Sequence, residues 1–308
     1  MPKDFVSVAD WSPEELLEIL SRARELKDLL SKSERPQTLR GRSLAMYFEH
    51  PSLRTHVTFE AGIAQLGGHA IFLTPEQIGI GTRESARDVA NSLSRWVDVI
   101  VARTASHSLI EELARVASVP VVNALTDLLH PCQAMADLLT MAERMDLQEA
   151  RIAYLGDGNN VANSLLLAAS VLGLELRVAT PDSHRPAVRV RQRAEGLARG
   201  SGARISFVSD PAEAVRDAHF VYTDVWTSMG QEGQANARRR LFEPYQVNAR
   251  LLEGAPEAWV MHDLPAHRGE EITDEVLDGP RSIVFDQAEN RLHAQKAVLE
   301  RLLLAPAT

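Results

Sequence analysis

Short apolar runs alternate with longer amphipathic stretches along almost the whole chain. Near the start, Ser12-Pro13-Glu14-Glu15 has the form of a capping box with proline at the first helical position. Leu16, Leu20, Ala23, Leu26 and Leu30 follow on one helical face. Beyond this helix, the runs Leu44–Phe48, Ala70–Leu73, Val97–Ala102 and Val119–Asn123 read as buried strands. Helical patterns lie between them at about Arg54–Leu66, Ser85–Arg95 and Ser108–Ala117. A second series starts at Arg151, with strands predicted at Ile152–Leu155, Glu175–Ala179, Arg204–Val208, Phe220–Thr223, Ala258–Met261 and Ser282–Phe285. A long helical segment, about Pro131 to Leu147, joins the two series. A final helix is predicted over Gln287–Leu304, where Leu292, Ala294, Val298, Leu302 and Leu303 recur.

Strand–helix alternation of this kind means parallel sheets with helices on both faces, linked by right-handed crossovers. The expectation is an α/β protein of two doubly wound parallel-sheet domains joined by interdomain helices. The first domain is expected to span residues 1–145, with a C-terminal helix (287–308) packing back onto it, and the second residues 146–286. In such sheets ligands bind beyond the carboxyl ends of the strands, and each motif below falls at such an end.

Composition narrows the class. The 308 residues suffice for two domains, and 45% apolar with 24% charged residues is ordinary for a globular protein. A net charge of −9 argues against a nucleic-acid or anionic-membrane partner, while 33 Lys and Arg remain available for a local basic pocket. The single cysteine, Cys132, precludes an internal disulfide and suits a reducing compartment. With no apolar run of membrane-spanning length and no signal-peptide core at Met1-Pro-Lys-Asp-Phe, a cytoplasmic enzyme is the expectation.

Ser52, Arg54 and Thr55 stand where the strand Leu44–Phe48 gives way to a helix. Free backbone N–H groups and the helix dipole make this turn an anion site, and a guanidinium with two hydroxyls suits a phosphate. The same residues also fit an N-capping serine with surface charges. His130-Pro131-Cys132-Gln133 again lies between strand and helix. His130 and Gln133 there suit a polar substrate group, or His130 serves as a cap or packed ring, and Asp137 follows one turn on. Arg103, at a strand end, is a donor to a carbonyl oxygen or a partner in a surface salt bridge. Gly156-Asp157-Gly158-Asn159-Asn160-Val161 invites a dinucleotide reading, but Val161 stands where the third glycine belongs. The adjacent asparagines suit recognition of a small polar molecule. The loop Asp224–Glu232 can grip a zwitterion through Asp224, Ser228 and the backbone at Met229-Gly230, or be a surface loop anchored by Trp226. His262-Asp263 raises the question of a metal, but no zinc-like spacing accompanies it and none is expected. No G-x-S-x-G elbow marks a serine hydrolase.

Together these segments resemble the aspartate/ornithine transcarbamylase family. Pro51-Ser52-Leu53-Arg54-Thr55 is similar to its S-T-R-T-R motif and His130-Pro131-Cys132-Gln133 to H-P-x-Q. Asp224–Glu232 is similar to the ornithine-type D-x-W-x-S-M-G-x-E loop, and His262-Asp263-Leu264-Pro265 to H-C-L-P. The resemblance covers nearly the whole chain. It implies transfer of a carbamoyl group from carbamoyl phosphate to L-ornithine, giving citrulline and phosphate, in arginine metabolism, without a cofactor. It implies a homotrimer with sites between subunits. Ser52, Leu53, Arg54 and Thr55 would hold the phosphate, with Gln77 reaching a neighbouring subunit's ligand. Arg103, His130 and Gln133 would hold the carbamoyl group and Arg291 would face the same ligand. Asn160, Asp224, Ser228, Met229, Asp263 and Leu264 would hold ornithine. Thr55, Arg103, His130 and Asp263 are the catalytic candidates.

Three positions depart from the family pattern. Leu53 replaces a threonine, His56 an arginine and Asp263 the cysteine of H-C-L-P, where the family places the reacting amine. The third change leaves open a transcarbamylase with another amine acceptor, or a weakly active ligand-binding homologue.

Overall fold

A computed structural model describes residues 4–227 and 232–304. The chain divides into two compact units, Met1–Leu139 with Glu289–Thr308, and Thr140–Ala288. The first contains α1 (Pro13–Ser31), β1 (Ser43–Phe48), α2 (Leu53–Gln65), β2 (His69–Leu73), α3 (Pro75–Ile78), α4 (Ala86–Leu93), β3 (Val99–Arg103), α5 (His107–Val116) and β4 (Val121–Leu125). The chain leaves this unit in α6 (Pro131–Ala142). The second holds β5 (Arg151–Leu155), α7 (Asn160–Leu172), β6 (Glu175–Ala179), α8 (Val188–Ser201), β7 (Arg204–Val208), α9 (Pro211–Val215) and β8 (Phe220–Thr223). It continues with α10 (Ala235–Phe242), α11 (Ala249–Leu252), β9 (Trp259–His262) and α12 (Asp274–Leu277), and α13 (Val284–Leu304) returns the chain to the first unit.

Both sheets are wholly parallel, with strand orders β2-β1-β3-β4 and β7-β6-β5-β8-β9. The strands β1, β3, β5 and β8 are covered on both faces, so they read as nearly continuous apolar runs, and every residue of β3 is buried; β6, although interior, alternates, with Glu175 and Arg177 half-buried. The edge strands β2 and β7 are only half covered. In the first unit Tyr47, Val89, Ile100, Ile110 and Val121 share one apolar cluster. In the second, Trp226 and Phe242 pack with Leu155, Val260 and Ile272.

Two element boundaries differ from the sequence-based expectation. Residues 282–285 form no strand: Ser282 makes one isolated bridge to Val260, and α13 begins at Val284. The run Ile283-Val284-Phe285 has strand-like composition, but Phe285 is 70% exposed. Gln287 N–H already donates to the Ile283 carbonyl in helical fashion, and Asp286 in the first turn favours the helix terminus. The segment Pro131–Leu147 is helical only to Ala142. Asp146 then accepts from Gln148 N–H at 3.0 Å and caps a short 3₁₀ turn, Leu147–Glu149, instead of continuing the helix.

The later part of α13 is tied into the first unit by polar contacts. Glu300 accepts from Arg22 Nε at 2.6 Å, Arg301 pairs with Glu15 at 3.1 Å, and Lys296 donates to Gln65 at 3.1 Å. His293 is buried on this helix, and burial followed by the charges of Lys296 and Lys27 pushes its pKa down to about 3. A neutral buried histidine stabilises the fold above its ordinary pKa of 6.5. Below that value the unfolded chain takes up a proton that the folded one refuses, so stability falls with falling pH, by about 2 kcal/mol at pH 5. His293→Leu should therefore lose less melting temperature between pH 7 and pH 5 than wild type. An identical loss in both would contradict this assignment.

Candidate functional site

In the first unit the candidate residues gather at the carboxyl ends of the central strands. Ser52 caps α2, its Oγ accepting from Thr55 N–H at 3.3 Å, so the capping expectation holds. The cap leaves the other first-turn N–H groups, including that of Leu53, with no partner inside the helix. The Leu53 side chain is 76% exposed, so this residue offers the turn only its backbone. Arg54 is half-buried and Thr55 buried. Arg103 closes β3 and is itself buried, which removes the surface salt bridge as its explanation.

His130 and Gln133 open α6, both buried. Arg291 reaches them from α13. One of its terminal nitrogens donates to Gln133 Oε1 at 2.6 Å and the other to Thr55 Oγ1 at 3.0 Å. Gln133 Nε2 in turn donates to Asp137 Oδ1 at 2.8 Å. Burial, and then the charges of Arg291, Arg103 and Arg54, hold the His130 pKa well below its usual value. The ring is therefore neutral at pH 7, able to donate one hydrogen bond without carrying charge. Burial also pushes the Cys132 thiol up to about 12, so it is no nucleophile at neutral pH. The cluster combines fixed cations with neutral donors, an arrangement suited to an anion bearing a polar carbonyl.

Gln77 is exposed, and its Oε1 accepts from Thr74 N–H at 2.8 Å as part of the α3 capping box. His56 stacks on Phe72, with ring centroids 4.1 Å apart, and its Nε2 lies 3.0 Å from Glu60.

In the second unit the candidates again follow strand ends. Asn160 is the first residue of α7, after β5, and is half-buried. Asp224 follows β8 and is buried. Its Oδ2 accepts from Asn159 Nδ2 at 2.6 Å and its Oδ1 from Val225 N–H at 2.7 Å. Trp226 is buried as well, so the loop is anchored beside Asp224 in the way a surface-loop reading expects. Ser228 and Met229 lie outside the described residues. Asp263 and Leu264 follow β9, both half-buried, and Leu264 has φ of +59°.

Asp224, His262 and Asp263 present ligand atoms within 4.8 Å of one another. The histidine of this trio is already engaged. Leu264 N–H donates to its Nδ1 at 2.9 Å, which makes Nδ1 the acceptor and puts the proton on Nε2, where Glu271 accepts it at 3.0 Å. A metal ligated by His262 would have to break one of these bonds. Two carboxylates so close instead favour a cation such as an ammonium.

Arg238 was not singled out by sequence, and Asn159 and Gly158, noted there only as parts of one motif, take structural roles that the motif did not disclose. Asn159 caps α7 and orients Asp224 at once. Arg238, on α10, pairs with buried Asp157 and donates from Nε to the Trp226 carbonyl at 2.5 Å. Burial raises the Asp157 pKa to about 6, against the pull of Arg238 and with a push from Asp224. Arg238 opens a surface-like Arg-Arg-Arg run. Only its spacing to buried Phe242, one helical turn on, could have marked it. Gly158 is explained by packing: a Cβ there would lie 2.3 Å from Pro186 N and 2.5 Å from His184 O. The glycine serves an approach of protein backbone rather than of a pyrophosphate.

Comparison with known proteins agrees across the chain. The carbamoyl-P binding domain of the aspartate/ornithine carbamoyltransferases matches residues 3–143, and their Asp/Orn binding domain matches residues 148–302. An ornithine carbamoyltransferase of Methanoculleus marisnigri is 51% identical over 98% of this chain and 97% of its own length. An anabolic one of Pyrococcus furiosus is 47% identical over 96% of this chain and 95% of its own. A solved ornithine carbamoyltransferase structure from Pyrococcus furiosus superimposes with a TM-score of 0.96, at 45% identity, covering 99% of this chain and 98% of that one. The mitochondrial enzyme of Coccidioides immitis does so with 0.92, at 33% identity, over 100% and 99%. By its sequence, its strand orders and the residues at its strand ends, the chain belongs to the aspartate/ornithine carbamoyltransferase family.

Proposed function

We propose that the protein is an ornithine carbamoyltransferase: carbamoyl phosphate and L-ornithine give L-citrulline and phosphate. The observation that carries this is Arg291 joining Thr55 to Gln133 in the buried cluster that holds a neutral His130. The ornithine amine nitrogen attacks the carbonyl carbon, the bond from that carbon to the phosphate oxygen breaks, and the amine gives up a proton. No covalent enzyme intermediate is needed. Arg54 and the first turn of α2 take the phosphate, whose charge grows as it leaves. Thr55, Arg103 and His130 stabilise the carbonyl oxygen, and Gln133 binds the carbamoyl amino group. In the second unit Asn160, Asp224, Ser228 and Met229 hold the amino-acid end of ornithine. A citrulline colour assay with both substrates tests the reading, and no citrulline from folded protein would reject it.

Asp263 bears on the acceptor. A lysine-like amine at pH 7 must first lose its proton, at a cost of roughly 4–5 kcal/mol. A carboxylate at 263 beside another at 224 favours the ammonium form and raises that cost. Asp263→Cys should therefore speed the ornithine reaction at pH 7 by several-fold, and the gap should narrow at alkaline pH. Equal rates and equal pH profiles would mean that Asp263 does not act on the ornithine amine. A panel of other amines would then show whether the residue instead selects a different acceptor.

A homotrimer in the cytoplasm completes the proposal. Supporting the assembly, Leu53 and Val57 on α2 and Ile71 and Phe72 on edge strand β2 are exposed apolar side chains. Sedimentation should return a mass three times that of one chain. Supporting the location, the only cysteine is an unpaired, buried thiol. No described helix is long and apolar enough to cross a membrane.

A further inference from the structure

Gln133 is an amide, and an amide can be used two ways round. Turned one way it offers the site an acceptor oxygen, turned the other way two N–H donors. Its neighbours in the buried cluster allow only one of these. Asp137, four residues on and on the same face of α6, accepts from Gln133 Nε2 at 2.8 Å. Arg291, which can only donate, takes Gln133 Oε1 at 2.6 Å. Asp137 is wholly buried, as is Gln133, so water cannot substitute for either contact at low cost. A carbonyl oxygen has two lone pairs, so Oε1 keeps acceptor capacity beyond its bond to Arg291.

We infer that Asp137 is a positioning residue that sets donor specificity: by accepting from the Gln133 amide nitrogen, it keeps the Gln133 oxygen available to the amino group of a carbamoyl donor. This rests on the proposed use of carbamoyl phosphate. A carbamoyl donor presents N–H groups to that oxygen, whereas an acetyl donor of the same shape presents a methyl group and leaves a buried acceptor unsatisfied. Sites built to hydrogen-bond a polar group reject the apolar isostere strongly. Without Asp137 the orientation of the amide is left to Arg291, whose guanidinium also serves Thr55, and the preference should weaken.

The test uses two stable phosphonates that differ only in NH₂ against CH₃, phosphonoacetamide and 2-oxopropylphosphonate. Asp137→Leu also removes a charge from the cluster, which changes phosphonate affinity, but it does so equally for both ligands. The ratio of their dissociation constants cancels that effect. By calorimetry, wild type should favour phosphonoacetamide by about tenfold or more. Asp137→Leu, which has no acceptor, should bring the ratio down to about threefold or less and raise the KM for carbamoyl phosphate while leaving the KM for ornithine unchanged, whereas Asp137→Asn, whose Oδ1 still accepts from Gln133 Nε2, should keep the wild-type preference. A ratio unchanged from wild type in Asp137→Leu would overturn the inference and leave the proposed donor standing. A wild type that binds neither phosphonate nor carbamoyl phosphate would overturn both. Should the variant not fold, neutron diffraction of wild type with phosphonoacetamide decides the matter. Deuterium between Gln133 and Asp137, with the Gln133 oxygen on the ligand amide, is expected, and the opposite amide orientation overturns it.

Discussion

Arg54→Ala should lower kcat/KM for carbamoyl phosphate by about 10²–10³-fold, the scale of losing one preorganised donor to a developing charge. Arg54 is the second residue of α2, in the turn where N–H groups with no partner inside the helix meet the helix dipole. Removing it leaves the Ser52 cap and the buried Thr55 in place, so the helix should still form. The loss should therefore appear in turnover and in donor affinity rather than in melting temperature. Lysine restores charge but not the planar fork, and Arg54→Lys should recover only part of the activity. Calorimetry with inorganic phosphate separates binding from chemistry. Unaltered turnover in Arg54→Ala would mean that this turn is not where the phosphate sits.

Arg238→Ala should have the largest effect on stability, about 3–5 kcal/mol, because it strands Asp157 in a buried place. The guanidinium also holds the Trp226 carbonyl and lies over the Phe242 ring, at 5.2 Å from its centroid. The sign of the pH dependence follows from Asp157. Its pKa is raised to about 6, so the folded state tolerates the protonated acid and loses stability as pH rises through that value. Without Arg238 the ionised acid has no counter-charge, so the variant should suffer more at pH 8 than at pH 5. Asp157→Asn combined with Arg238→Met should recover much of the loss, since a buried pair is often replaceable although half of one is not. Denaturant titration of the single and double variants at both pH values measures this. A loss below about 1 kcal/mol that does not vary with pH would show that the pair is solvated.

The parallel sheets were legible because a strand covered on both faces must be apolar along its length, as β3 and β1 are. The candidate site was legible for a related reason. Thr55, Arg103, His130, Asn160, Asp224 and Asp263 each stand within a few residues of a strand's carboxyl end, where polar residues abruptly follow an apolar run. What stayed hidden depends on partners distant in sequence. Arg238 resembles its exposed neighbours Arg239 and Arg240, and only Asp157, far upstream, gives it a buried role. Asn159 was overshadowed by Asn160, because which of two adjacent asparagines caps a helix is a matter of one residue's register. The start of α13 was misread because Ile283-Val284-Phe285 has the composition of a strand. Its conformation is decided by the helical bonding that follows.

Arg291 comes from the last helix, yet it closes a cluster whose Thr55 lies 236 residues earlier. During translation the turn at Ser52, the strands and α6 therefore emerge from the ribosome long before the cation that bridges Thr55 and Gln133. A nascent chain cannot assemble its donor pocket until nearly all of it has been made, so a stop codon just ahead of Arg291 should yield a product unable to capture the phosphorylated substrate.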